Sequence, residues 1–202
     1  MSCPCICLNM IVKNESAIIT RLFDSILPLI DSYVICDTGS TDNTPDLIRN
    51  YFILHGIPGK VIEEPFQNFG YNRTHALKQC VGAEKADYLL LMDADMKIEY
   101  SKNFDVKKFK AYVSRYDAHY VQQGSNAFYY KNIRIVRNTV GLSYWGVTHE
   151  YMELPRTTKY GFFVKGDIFI CDIGDGGSKS DKYERDIRLL TSALDDKPDN
   201  AR

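Results

Sequence analysis

The chain has 202 residues, a formal net charge of −1, 45% hydrophobic and 25% charged residues. That length suits a single α/β domain spanning residues 1–202, and the near-neutral charge supplies no field to draw the chain to nucleic acid or an anionic membrane. No apolar run approaches the ~20 residues of a membrane span, and "MSCPCICLNM" has neither the basic start nor the cleavage-like site of a signal peptide. A soluble, cytoplasmic protein is expected.

"CICLNMIV" predicts a first strand ending near Val12. "NESAIITRLFDSIL" follows with Ile18, Ile19, Leu22, Phe23 and Ile26 at helical spacing and Asn14 as the expected N-cap. "YVICD" predicts a second strand. "TPDLIRNYFILHG" predicts a second helix, with Thr44 as cap, Pro45 at its first position and Gly56 near its stop. "KVIEE", "GYNRTHALKQCVG" and "DYLLLMD" continue as strand, helix and strand. This alternation implies a parallel sheet with helices on both faces. From residue 118 to 171 the chain is rich in Tyr, Phe and Val, and "HYVQQ", "AFYYKNIRIVRN", "SYWGVTHEYMEL" and "GFFVKGDIFICDI" predict four strands of mixed direction. "SDKYERDIRLLTSAL" predicts an amphipathic helix with Tyr183, Ile187, Leu190 and Leu194 on one stripe. "KPDNAR" then ends the sequence without a closing element, and a longer parent protein is expected.

Six cysteines are present. Cys3, Cys5 and Cys7 alternate, which places them on one face of a strand. No C-x-x-C pair or nearby histidine completes a tetrahedral zinc set, so reduced and mostly buried thiols are expected.

In an open α/β sheet the ligand sits beyond the carboxyl ends of the strands. Three polar segments occupy such positions: "KNES", "DTGSTDN" and "DAD". In "YLLLMDADM", Asp93 and Asp95 end an apolar strand, where an unpaired charge is costly. If the extended geometry persists, both carboxylates point the same way, and a divalent cation between them relieves their repulsion. Oxygen ligands suit Mg²⁺ or Mn²⁺, and Mg²⁺ commonly keeps room for substrate phosphates. Asp37 ends the second strand, where an acid can accept from a ribose hydroxyl or a base N–H, with Gly39 in the tight loop behind it and Asp42 or Thr44 capping the next helix. Lys13 and Asn14 stand at the mouth of the first strand, placed to flank a nucleotide. Arg73 lies near the start of the third helix, as either a diphosphate contact or a surface ion pair.

The pattern "MIVKNE…VICDTGSTDNT…YNRTHALKQC…YLLLMDADM…WGVTHE…RDIRLL" resembles family 2 glycosyltransferases of the GT-A fold, in order and approximate spacing over nearly the whole chain. The subgroup it resembles is often followed by tetratricopeptide repeats. The resemblance implies a mixed, Rossmann-like sheet, a nucleotide-sugar donor such as a UDP-sugar, Mn²⁺ or Mg²⁺, and a carbohydrate or protein acceptor. Residue by residue it implies that Asp37 contacts uracil or ribose, Asp93 lies near ribose or sugar, Asp95 holds the metal and Arg73 matches the arginine of the family's "AR" segment. It also places "WGVTHE" towards the acceptor. Glu150 is then the candidate general base of an inverting transfer, with His149 as an alternative base or metal ligand. Trp145 either stacks on a sugar or packs in the core. Asp172 falls near a histidine of many relatives and can replace it as a metal ligand, while Lys179 and its neighbouring glycines form a candidate lid. The Q-x-x-R-W mark of processive synthases is absent, which implies one sugar per encounter. Two other readings remain open. A sugar-1-phosphate nucleotidyltransferase would need an early glycine-rich loop, and "NMIVKNES" has no glycine; a nucleotide-sugar-binding module would lack turnover.

Overall fold

The computed structural model describes residues 3–80, 86–125, 127–139, 141–177 and 182–196. Its first half follows the predicted alternation: β1 (Ile6–Val12), α1 (Ile19–Ile26), β2 (Ser32–Asp37), α2 (Thr44–Leu54), β3 (Gly59–Glu63), α3 (Phe69–Lys78) and β4 (Tyr88–Leu91). These strands lie in the order β3-β2-β1-β4, all parallel. Two elements the sequence pattern did not mark come next, β5 (Met96–Tyr100) and α4 (Val106–Val113).

The second half is β6 (Ala118–Gly124), β7 (Tyr129–Arg137), β8 (Tyr144–Trp145), β9 (Tyr151–Met152), β10 (Tyr160–Phe163), β11 (Ile168–Asp172) and α5 (Lys182–Asp196). β7 pairs antiparallel with β4 and carries the sheet on through β6, β11 and β5, with β10 added alongside β6. The result is a nine-stranded mixed sheet and a separate β8–β9 ribbon. Two of the predicted strands are each divided. "SYWGVTHEYMEL" breaks into the β8–β9 ribbon because Gly146 (φ 96°) and His149 (φ 51°) adopt left-handed backbone that no extended strand contains. "GFFVKGDIFICDI" breaks at the turn before Ile168, where the Asp167 amide donates to the Val164 carbonyl.

Alternation along β1 builds a core on each face. Ile6, Leu8, Met10 and Val12 meet Ile19, Leu22, Phe23 and Ile26 of α1 and Phe52 of α2. Cys7 turns the other way, towards Leu77 and Cys80 at the end of α3. Burying each large apolar side chain of α1 is worth about 1.5–3 kcal/mol, which holds an eight-residue helix too short to persist alone. Asn9 also points to α3, where its amide donates to the Ala76 carbonyl at 3.0 Å, and so ties helix to strand from inside. All six cysteines are free thiols; Cys7, Cys36 and Cys80 are buried and Cys3 is exposed. No described helix is long and apolar enough to cross a membrane.

Two expected caps are replaced. α1 has no side-chain cap, and Asn14 lies upstream of it with φ 56°. The N-cap of α2 is Asn43, and Thr44 is already helical. Asp42, the alternative expected cap, performs the capping chemistry, its Oδ1 accepting from the Thr44 amide at 3.0 Å and from the Thr44 hydroxyl.

Candidate active site

A crevice of about 590 Å³ opens where β1 and β4 end. Its rim on the β1 side is Lys13, Asn14 and Glu15, and its floor includes Asp93 and Asp95. Arg73 of α3 and Arg134 of β7 form a wall. Gly174, Gly176 and Gly177 cross above, with Arg185 and Arg188 of α5 behind them.

The loops after β1 and β2 are stitched together. Asn14 Oδ1 accepts from the Thr41 amide at 2.7 Å, and the Asn14 amide donates to Ser40 Oγ at 2.9 Å. The Glu15 amide donates to Thr44 Oγ1 at 2.8 Å. Asn14 is therefore a brace between loops, and it keeps Lys13 on the crevice rim. Asp37 is buried, with Oδ1 accepting from the Gly39 and Ser40 amides at 3.0 and 2.9 Å. This local turn needs Gly39 at φ 105°, a backbone that glycine adopts without strain. Asp37 Oδ2 has no hydrogen-bond partner among the described residues. Thr38, not Asp37, is the member of this loop that lines the crevice.

The two aspartates of "DAD" diverge. β4 ends at Leu91, and the Met96 amide donates to the Asp93 carbonyl, closing a turn over residues 93–96. The extended geometry that would aim both carboxylates alike is thus lost. Asp93 faces two arginines, Arg73 Nη2 at 2.6 Å and Arg134 Nη1 at 3.3 Å. Burial pushes the Asp93 pKa up, but Arg73 and Arg134 outweigh it and hold the carboxyl well below the usual carboxylate range. Arg73 also donates from Nε to Glu150 Oε1 at 2.5 Å. Arg73 consequently spends its two hydrogen-bonding edges on Asp93 and Glu150, and burial, which disfavours its charge, is overcome by those two carboxylates. Arg134 is buried, donating also to Gln123 Oε1 at 2.6 Å and to the Leu91 carbonyl at 3.2 Å.

Asp95 turns to the other side of the crevice. A Cβ added at Gly176 would lie 3.4 Å from both Asp95 Oδ2 and Glu15 Oε1, so two carboxylates converge on the space this glycine leaves. Burial raises the Glu15 pKa, opposed by the hydrogen bond from the Gly177 amide and reinforced by Asp95. Asp172, at the end of β11, stands opposite Met96 in register. Its Oδ2 accepts from Gln123 Nε2 and the Tyr130 hydroxyl, each at 3.3 Å, while Oδ1 is buried without a hydrogen-bond partner among the described residues. Burial raises the Asp172 pKa, Arg134 opposes it, and Asp95 adds to it. The segment crossing the crevice is fastened by Asp175, whose carboxylate takes two hydrogen bonds from Arg21 at 2.9 and 2.7 Å.

Residues 7–177 match the model of Glycosyl transferase family 2. The chain belongs to this family. It is 32% identical over 85 residues to an uncharacterized glycosyltransferase of Rickettsia felis, a match covering 42% of this chain and 26% of that protein. Among solved structures, S. aureus TarS 1-349 in complex with UDP-GlcNAc superposes with a TM-score of 0.58 at 14% identity, covering 94% of this chain and 66% of that one. The mannosyltransferase PcManGT from Pyrobaculum calidifontis, in complex with GDP-Man and Mn²⁺, gives a TM-score of 0.58 at 12% identity, covering 96% and 65%. These likenesses establish the GT-A fold. The chain spans about a quarter of the length of the curated relative and under two thirds of PcManGT and TarS 1-349.

The metal associated with this fold finds suitable donors here. Asp95 and Asp172 offer hard oxygen ligands, and Oδ1 of Asp172 is a buried acceptor with no hydrogen-bond partner among the described residues. Among the described residues no group of three or more His, Cys, Asp or Glu forms a ready-made metal cage. One or two carboxylates completed by phosphate oxygens and water is the usual manner of Mg²⁺. His149 is exposed with φ 51° and does not line the crevice; Glu150 does not line it either and is held to the crevice wall by Arg73. Lys179 lies outside the described residues.

Four crevice residues escaped the sequence reading. Arg134 carried a signal, an arginine set between Ile133 and Ile135 in the apolar stretch of its strand. Glu15 and the α5 pair Arg185 and Arg188 lie in the segments "MIVKNE" and "RDIRLL" that carry the family resemblance, but nothing local marks them as crevice residues. Amphipathicity even misdirects for α5: Tyr183 is 83% and Ile187 66% exposed, while Arg188 reaches the crevice.

Proposed function

We propose that the crevice binds a nucleoside diphosphate sugar, specifically a UDP-sugar, together with Mn²⁺ or Mg²⁺, and transfers the sugar with inversion to a hydroxyl of a carbohydrate or protein acceptor, one unit per encounter. The observation that carries this reading is Asp172, a crevice residue whose Oδ1 has no hydrogen-bond partner among the described residues, near Asp95 in a crevice also lined by Lys13, Arg134, Arg185 and Arg188. A crevice lined by acids and arginines suits a metal–diphosphate pair better than a neutral substrate. The complexes of TarS with UDP-GlcNAc and of PcManGT with GDP-Man and Mn²⁺ support the donor class.

Asp95 and Asp172 would hold the cation, which when bound offsets the charge on the departing diphosphate. Lys13 on the rim and Arg188 of α5 supply further positive charge to the phosphates. Arg73 acts from behind: its contacts fix Asp93 and Glu150 relative to each other. We assign the nucleoside contact to Asp37, whose Oδ2 has no hydrogen-bond partner among the described residues, although only its neighbour Thr38 lines the crevice. Glu150 is the base. As the acceptor oxygen bonds to the anomeric carbon, its proton passes to the Glu150 carboxylate and the sugar–phosphate bond breaks with its electron pair leaving on the nucleoside diphosphate.

The test is calorimetric titration of UDP and GDP with and without Mn²⁺, on the wild-type chain and on Asp95→Asn. Tight binding of UDP that needs Mn²⁺ and is lost in Asp95→Asn is expected. Equal binding of UDP by both proteins would remove Asp95 from the metal site, and absence of nucleotide binding would end the donor reading.

A further inference from the structure

A second cavity, of about 370 Å³, lies on the opposite side of α3 and shares no lining residue with the crevice. Gly70, Tyr71, Thr74 and Lys78 of α3 form one wall, and Tyr144 and Trp145 of β8 form the other. It is built on a fixed frame. The Tyr144 amide donates to Thr74 Oγ1 at 2.8 Å, and the Phe69 amide donates to the Val147 carbonyl at 3.1 Å. A Cβ on Gly70 would come within 2.3 Å of the Gly146 carbonyl oxygen, so only glycine lets ribbon and helix approach this closely. The frame holds large aromatic rings in solvent. Trp145 is 51%, Tyr151 48% and Tyr71 39% exposed. Trp145 and Tyr151 are directly paired across the ribbon, which puts both rings on one face.

Exposed, rigidly mounted aromatic rings offer flat apolar faces beside polar groups, the surface that the C–H face of a pyranose covers while its hydroxyls stay hydrogen-bonded. Lys78 supplies the positive charge of the cavity, while His75 lies 3.9 Å from Glu64, whose other oxygen accepts from the Tyr71 hydroxyl. The same ribbon carries Glu150, next to Tyr151, and Arg73 lies over the Tyr144 ring at 5.9 Å. We propose that this cavity is a carbohydrate subsite for the acceptor, and that it takes an oligosaccharide bearing an acidic group, with sugar rings on Trp145 and Tyr71 and the acid towards Lys78. The assignment rests on the transferase reading for the word acceptor, and on the cavity alone for the ligand chemistry.

Trp145 is the single tryptophan of the chain, so intrinsic tryptophan fluorescence reports on this cavity and nothing else. Hyaluronan tetrasaccharide, neutral chitotetraose and inorganic phosphate are titrated to millimolar concentrations at constant ionic strength. A saturable change in emission with hyaluronan tetrasaccharide, weaker with chitotetraose and absent with phosphate, is expected. Lys78→Glu should weaken the acidic ligand by roughly three- to tenfold, the scale of reversing one exposed charge, while calorimetric UDP binding with Mn²⁺ stays at the wild-type value. Tyr71→Ala, which keeps the tryptophan, should weaken both oligosaccharides. Silent emission with both oligosaccharides overturns the subsite, and an equal response to both, unchanged in Lys78→Glu, overturns the acidic ligand. Because UDP binding is read separately on the same protein, loss of the donor reading and loss of the subsite give different results.

Discussion

His119 lies far from the crevice chemistry and makes a sharp test of the packing. It is fully buried on β6, ringed by Tyr88, Tyr112, Tyr116 and Phe163 with centroids 5.5–6.3 Å away. Neither ring nitrogen makes a hydrogen bond of ordinary geometry. Burial lowers its pKa from 6.5 to about 4, with the Tyr112 main chain and Asp117 opposing and Arg137 assisting. The unfolded chain therefore binds a proton near pH 6.5 that the folded chain refuses until about pH 4. Stability from this residue is complete above pH 6.5, falls as pH drops through that window, and is fully lost below about pH 4. At about 1.4 kcal/mol per pH unit, the loss is about 3 kcal/mol. Urea unfolding of the wild type and of His119→Leu, close in volume, should be followed from pH 7.5 to pH 4. The stability difference between the two proteins should shift by about 3 kcal/mol in favour of the variant across that range. A pH-independent difference would refute the reasoning, since it would mean that the folded protein solvates or pairs the imidazolium.

Asp93→Ala strands Arg73 and Arg134 without their shared carboxylate and should cost about 3 kcal/mol in urea unfolding, whereas Asp95→Asn should cost far less. Gly177→Ala would set a Cβ 2.8 Å from the Asn14 carbonyl oxygen; it should displace the segment above the crevice and weaken UDP binding measured calorimetrically, with thermal stability little changed. Glu150→Gln should reduce sugar transfer by ~10²–10⁴-fold at unchanged donor affinity; normal transfer would place the base elsewhere. Asp37→Ala should weaken uridine and UDP by a similar factor in parallel titrations, and a loss confined to UDP would move Asp37 from the nucleoside to the phosphates.

The strand–helix alternation of residues 6–91 was legible because each element declares itself locally. β1 and β4 are short apolar runs, and α1 repeats its apolar residues at helical spacing. β5 and α4 were not legible: "MKIEY" and "VKKFKAYV" are short, charged and weakly patterned, and long-range contacts decide them, β5 by pairing with β11 and α4 by burying Phe109 and Val113. Nor could periodicity say which way α5 turns its stripe.

The family, the parallel half of the sheet and the acids that end its strands can be read from the chain alone, because apolar periodicity and strand-end carboxylates are local properties of a few neighbouring residues. How those acids divide their work depends on the folded arrangement. Asp93 and Asp95 are two residues apart, yet the turn after β4 delivers one to Arg73 and Arg134 and the other towards Glu15. Asp172 reaches the crevice because β11 inserts between β6 and β5. The identity of a carboxylate is written in the chain; its partner, and with it whether the charge is spent on the fold or left for a ligand, depends on distant segments brought within a few ångströms.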